Sequence, residues 1–212
     1  MAHHAGGAHR LLDRPRAYDR LQRLLGGRAA RRRLIAEFLR PWDGAKLLDA
    51  GCGTGLLLEY LPSGVEYVGF DFNPRYIEEA RKRHAGRGTF YCAAVGTEPD
   101  TIADGSFDLF VAKSFLHHLD DADAHHLLAT ARRALRPGGI FFSSDAVRHE
   151  GQALIARILA ALDRGRNVRT SEEYAALVAE HFETMETWLL TDLLPIPYSH
   201  FVVRAEKSAL LR

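Results

Sequence analysis

The stretch "LLDAGCGTGLLLEY", residues 47–60, sets three glycines, Gly51, Gly53 and Gly55, inside five positions. An apolar run precedes them and a helix-like run follows, so the segment reads as strand, turn and helix start. Without side chains the turn can bend sharply and let a ligand lie against the backbone at van der Waals distance. A plain strand-to-helix connection needs one such residue; three, preceded by the acid Asp49, point to a ligand. In an open α/β sheet that ligand sits outside the carboxyl ends of the strands, where this turn falls. A phosphate-cradling loop would require Gly-Lys-Ser/Thr, and "GTGL" offers no lysine. The dinucleotide fingerprint is G-x-G-x-x-G, whereas these glycines follow G-x-G-x-G. A carboxylate at Asp49 repels a pyrophosphate and attracts an ammonium group. The turn therefore calls for a nucleoside-type cofactor.

Working outward, "VEYVGFD" (65–71) is a second strand ending in Asp71, 22 positions after Asp49. A carboxylate there can accept two hydrogen bonds from a ribose diol. "DFNP" (71–74) is also a helix-start signal, for which Asn73 is the better cap. Further strands are expected at 45–50, 88–94, 107–114, 139–145, 185–191 and 199–206, and helices at 16–39, 74–84, 122–135, 152–163 and 171–181. Between them stand Pro41, "LPSG", "DGS", "RPGG" and "PIP". In the 122–135 helix Ala124, Leu127, Leu128, Ala131 and Leu135 share one face, with Arg132 and Arg133 pointing away. Alternation from 45 to about 145 implies βαβ units and a parallel sheet covered on both faces. Only about seven residues separate the last two strands, too few for a parallel crossover, so they run antiparallel.

The 212 residues are 47% hydrophobic and 26% charged with net charge +1, which fits a single domain over 1–212. Its parts are an N-terminal helical cap (1–44), a cofactor-binding core (45–145), and a lid insertion with the last two strands (146–212). Near-neutral charge argues against a nucleic-acid partner held by phosphate contacts. No apolar run reaches membrane-spanning length, so no membrane partner is expected. Cys52 and Cys92 lack metal-ligand spacing and read as reduced thiols of a cytoplasmic protein. His3, His4 and His9 lie in a small, polar, aperiodic opening that fixes no metal geometry.

"LLDAGCGTG", then "VGFDFNP", "FDLFVAKSFLHHLDD" and "ALRPGGIFF", in that order and spacing, resembles the class I S-adenosylmethionine-dependent methyltransferases over residues 45–145. The resemblance implies a three-layer α/β/α sandwich around a doubly wound, seven-stranded Rossmann-like sheet of order 3-2-1-4-5-7-6, strand 7 antiparallel. It implies S-adenosylmethionine as cofactor and S-adenosylhomocysteine as product. By the same resemblance Asp49, Gly51, Cys52, Gly53 and Gly55 hold the methionine portion, Asp71 the ribose and Phe72 the adenine. Ala94 and Val95 would lie on the adenine side, and the backbone near Lys113 and Ser114 would line the sulfonium. In such enzymes the N-terminal helix folds over the cofactor, placing Tyr18 at its carboxylate or in the acceptor site. One departure is plain. The family often ends strand three with an acid that accepts from the adenine amino group, and here Ala93 and Ala94 stand in its place.

Methyl transfer is an in-line displacement for which positioning supplies most of the rate. A base is needed only when the attacking atom carries a proton of high pKa. The candidates are His117 and His118, since imidazole titrates near about 6.5. Family analogy puts His117 in the pocket as base and His118 beneath the loop. Asp120, Asp121 and Asp123 with His125 and His126 read as helix capping and an exposed face. Because "VAKSF" lacks the acids of the metal-dependent branch, no metal is expected. The acceptor pocket is expected to draw on His118, Ile196, Tyr198 and His200. After the apolar stripe Leu154, Ile155, Ile158, Leu159 and Leu162 come Arg164, Arg166 and Arg169. These three form either a solvated basic loop or a clamp on an acidic group of the acceptor. The sequence thus reads as a small-molecule methyltransferase acting at oxygen or nitrogen. An NAD-dependent oxidoreductase and a non-catalytic cofactor-binding or scaffold protein of the same fold are the alternatives, and oligomeric state is left open.

Overall fold

A computed structural model describes residues 27–152, 167–196 and 198–209. Its centre is a seven-stranded sheet of order β3-β2-β1-β4-β5-β7-β6. The strands are β1 Lys46–Ala50, β2 Glu66–Asp71, β3 Gly88–Cys92, β4 Phe107–Lys113, β5 Leu135–Ala146, β6 Thr184–Leu190 and β7 His200–Glu206. β1 pairs in parallel with β2 and β4, β2 with β3, and β4 with β5. β7 runs antiparallel to both β5 and β6, as the short final connection requires. Strand order and class agree with the expectation.

The helices are α1 Gly27–Arg33, α2 Pro74–Arg83, α3 Asp121–Ala134 and α4 Ser171–Ala179. α1 runs on into a π-helical segment, Leu34–Leu39. Alternation along the strands sends neighbouring side chains to opposite faces. Leu48, Phe110 and Phe141 pack under α3 and α4, while Leu47, Leu109 and Phe142 pack with Leu34 and Phe38 and with Ile77 of α2. The α3 stripe Ala124, Leu127, Leu128 and Ala131 is fully buried, as is Leu135 just beyond it. Asn73 caps α2 through the Arg75 amide at 3.0 Å, and Asp120 caps α3 through the Asp123 amide at 2.9 Å.

Two elements differ from expectation. After the glycine turn the chain makes only a five-residue 3-10 helix, Leu56–Tyr60. Pro62, Ser63 and Gly64 follow it and end the run, because proline withholds a donor and fixes the chain outside the helix. β5 begins earlier than expected, at Leu135, which pairs with Phe107 of β4; "RPGG" then bulges out, with Gly138 at φ 75°, before pairing resumes at Ile140 with Leu109. The expected helix at 152–163, its apolar stripe, and residues 16–26 of the first helix lie outside the described residues.

Candidate functional site

Each glycine of the turn is demanded by a different neighbour. Gly51, Gly53 and Gly55 all have positive φ, at 67°, 55° and 72°, where side chains are strained. A Cβ at Gly51 would stand 2.4 Å from the Phe115 ring, and one at Gly55 would stand 2.9 Å from both His84 and Phe90. At Gly53 it would meet nothing within 4 Å among the described residues. The first and third glycines therefore admit protein, and the middle one faces open space. The Cys52 amide donates to Phe70 O at 3.0 Å, tying the turn to β2. Burial beside Asp49 and Asp71 pushes the Cys52 thiol up. Asp71 accepts from the Gly53 amide at 3.0 Å and the Asn73 amide at 2.8 Å. Burial raises its carboxyl, and those two amides oppose the rise.

Behind the turn, Asp49 is buried and accepts from the Tyr67 hydroxyl at 2.5 Å. Desolvation pushes its carboxyl up to about 7, against the Tyr67 hydrogen bond and the charges of Lys113 and Arg31. Lys113, ending β4, is pushed down to about 8 by burial and by Arg31, while Asp49 and Asp145 pull it back up. Arg31, from α1, is buried. One buried carboxyl and two basic side chains thus lie within electrostatic reach of one another behind the turn. That donor set matches the ammonium and carboxylate of an amino acid. Neither Arg31 nor Tyr67 is foreseen in the sequence: Arg31 is one of three consecutive arginines with nothing to mark which turns inward, and Tyr67 is a strand tyrosine two residues before a glycine.

Along the rim, the Phe72 ring is 69% exposed just past Asp71, a flat apolar surface of the sort a purine stacks on. Across from it Ala94 is exposed and Val95 half-buried. The Thr97 hydroxyl caps this loop, accepting from the Ala94 amide and donating to the Ala94 carbonyl, each at 3.0 Å. No acid stands at 93–95; the next one, Glu98, folds back to accept from the Gly96 amide at 3.0 Å.

At the carboxyl ends of β4 and β5 the two histidines differ in burial. His117 is 3% exposed and its Nδ1 lies 2.8 Å from Asp145 Oδ1, whereas His118 is exposed. Both sit in the 3-10 turn Leu116–His118, whose first two residues face inward. A carboxylate only accepts, so His117 Nδ1 donates and the basic lone pair is at Nε2. Asp145 is 1% exposed, and its other oxygen has no hydrogen-bond partner among the described residues. Asp145 ends the run "GIFFSSD" and went unnoticed in the sequence because one acid closing a strand has no periodicity to betray it.

Arg169 is not placed as an acceptor clamp. It is 7% exposed and donates to Leu116 O at 3.0 Å, Leu119 O at 3.1 Å and Asp121 Oδ1 at 2.7 Å. Its fork therefore pins the histidine turn, helped by the Asn167 amide donating to His117 O at 3.0 Å. His200 pairs with Ala146 at the same edge, and its ring meets Tyr198 edge-on at 5.1 Å. Ile196 and Tyr198 are half-buried nearby in the chain. Tyr18 and Arg166 lie outside the described residues. Among the described residues no group of three or more His, Cys, Asp or Glu could hold a metal ion, and no helix is long and apolar enough to cross a membrane.

Comparison with known proteins agrees with this fold. Residues 48–143 match the methyltransferase domain family model. A ubiquinone biosynthesis O-methyltransferase of Sinorhizobium medicae is 33% identical over 156 residues, 68% of this chain and 62% of that protein. The human thiol S-methyltransferase TMT1A is 32% identical over 121 residues, 55% of this chain and 48% of that protein. The chain thus spans about half to three-fifths of these curated relatives' length. The Haloferax volcanii methyltransferase solved in complex with the Trm112 activator superposes with TM-score 0.75 at 17% identity, over 95% of this chain and 98% of that one. Fold, glycine turn and relatives define one class, the Rossmann-like transferases. Within it, residues 48–143 match the methyltransferase domain family, and the sheet has the order of the class I S-adenosylmethionine-dependent methyltransferase fold.

Proposed function

We propose that the chain transfers a methyl group from S-adenosylmethionine to a hydroxyl of a small-molecule acceptor, of the phenol type. The observation that carries this reading is the buried His117–Asp145 pair beside the cofactor turn. Thiolates and weakly basic aromatic amines attack near neutral pH without help, whereas a phenol, with a pKa near about 10, gains from a base. The Sinorhizobium medicae relative, an O-methyltransferase, points the same way.

When bound, the cofactor supplies a methyl on cationic sulfur, so the protein needs chiefly to align and deprotonate. Asp49 would take the ammonium, with Arg31 and Lys113 on the carboxylate. Asp71 would take the ribose diol, and Phe72, Ala94 and Val95 the adenine. The open space at Gly53 and the buried charge set of Asp49, Arg31 and Lys113 fit such a group. His117 accepts the acceptor's proton at Nε2 while Asp145 holds the tautomer and steadies the imidazolium. His118, Ile196, Tyr198 and His200 would wall the acceptor. Asp145 is within the electrostatic reach of Lys113, which joins the two halves of the site.

The test is turnover on a panel of phenols, amines and thiols, read by mass spectrometry. Phenol methylation is expected, and His117→Ala should lower it by about 10²–10⁴-fold. A thiol acceptor, which ionises nearer neutrality, should lose far less. Turnover of thiols alone, or a drop of only a few-fold, sinks the hydroxyl reading. Stabilisation by NADH rather than S-adenosylhomocysteine in a thermal shift would favour the oxidoreductase alternative.

A further inference from the structure

The Asp49–Tyr67 hydrogen bond lies outside every role assigned above. Tyr67 belongs to β2 at the position paired with Gly88 of β3, and Gly69, two residues on, is paired with Asp49 of β1. Both glycines underlie the tyrosine ring. A Cβ at Gly88 would stand 2.9 Å from Tyr67 Cδ1, and one at Gly69 would stand 3.0 Å from Tyr67 Cε1 and 2.9 Å from Cys52. The ring therefore lies along the strand in a groove that two missing side chains leave. This brings the hydroxyl forward to Asp49 Oδ2 at 2.5 Å. Both residues are 3% exposed.

We propose that Tyr67 is a positioning residue for cofactor binding: its hydroxyl holds Oδ2 of Asp49, orients Oδ1 toward the turn, and supports the negative charge that an ammonium group requires. The inference rests on the methyltransferase reading and names a further residue of that site. Without the hydroxyl, a carboxylate buried this deeply retains its proton to higher pH and meets the ligand uncharged. The groups facing Asp49 are Tyr67 and Asp71 of β2, Cys52 of the turn, Lys113 of β4 and Arg31 of α1. Cys52 and Tyr67 are themselves held neutral by burial, while Lys113 and Arg31 favour the carboxylate and Asp71 opposes it.

The experiment is calorimetric titration of the intact chain with S-adenosylhomocysteine at pH 6, 7 and 8, comparing wild type, Tyr67→Phe and Asp49→Asn. With Asp49 titrating near 7, wild-type affinity should fall about tenfold from pH 8 to pH 6. If the hydroxyl holds the carboxyl down by about one unit, Tyr67→Phe should bind about ninefold more weakly at pH 6 and about twofold at pH 8. Taking each variant as a ratio to wild type removes the titration of Lys113, common to both. Asp49→Asn should bind weakly, with a shallower pH profile than wild type. Should Tyr67→Phe fail to fold by circular dichroism, Gly69→Ala displaces the same ring and should give the same converging profile. A deficit equal at all three pH values, or none, overturns the assignment and leaves Tyr67 a packing residue. Absence of binding by wild type at every pH overturns the methyltransferase reading along with it.

Discussion

Single residues set the ligand chemistry of this rim. Asp71 shows how a small group does two tasks at once, since its oxygens already fasten the Gly53 and Asn73 amides. Each carboxylate oxygen has a second lone pair, so a diol can be added without breaking either bond. Asp71→Ala should weaken S-adenosylhomocysteine binding by about 1–3 kcal/mol in calorimetry. Unchanged affinity would remove the ribose role. The three glycines were conspicuous in the sequence, but their separate reasons were not. That Gly51 yields to Phe115 and Gly55 to His84 and Phe90 depends on residues far along the chain. Only Gly53 is left for a ligand, and no spacing rule could single it out.

Among elements, the strands are legible because apolar runs alternate with strong breakers, and the opposed direction of β6 and β7 follows from one short loop, while the place of β7 beside β5 comes from the family resemblance alone. The helix after the turn was overcalled, because its leucines look helical and "LPSG" stops them after five residues. Arg169 was misread for a related reason. In sequence it is one of a run of arginines, and only folding reveals which of them turns inward. It caps two carbonyls of the histidine turn and pairs with Asp121, pulling that carboxyl below its usual range. Arg169→Met would leave Leu116 O and Leu119 O without their donor. The expected loss is about 2–4 kcal/mol, or roughly 5–15 °C in melting temperature for a chain of this size. Arg169→Lys should rescue little, because a single ammonium cannot span the fork. A variant melting within a degree or two of wild type would return Arg169 to the acceptor side.

For the whole molecule, the doubly wound order brings the carboxyl ends of β1, β2, β4 and β5 to one edge, and with them Asp49, Asp71, Lys113 and Asp145. Residues scattered over nearly a hundred positions become one electrostatic unit, which is why the pairs Asp49–Tyr67 and His117–Asp145 were invisible to periodicity. Such concentration destabilises the unliganded fold. Asp49 has a folded pKa near 7, above its ordinary 3.8. The folded state therefore retains a proton that the unfolded chain has released. The stability due to that proton is fully present below about pH 4 and is lost as pH rises through 7. At pH 8 the site is an ionised carboxylate waiting for a cation. Asp49→Asn removes that charge, so the unliganded variant should be more stable than wild type at pH 8, by about 1–4 kcal/mol in urea melts. The advantage should shrink toward pH 5, where wild type carries the proton itself. S-adenosylhomocysteine should reverse the order, stabilising wild type and hardly touching the variant. A variant less stable than wild type at both pH values would mean that the carboxylate is part of the fold's support instead of a charge held ready for its ligand.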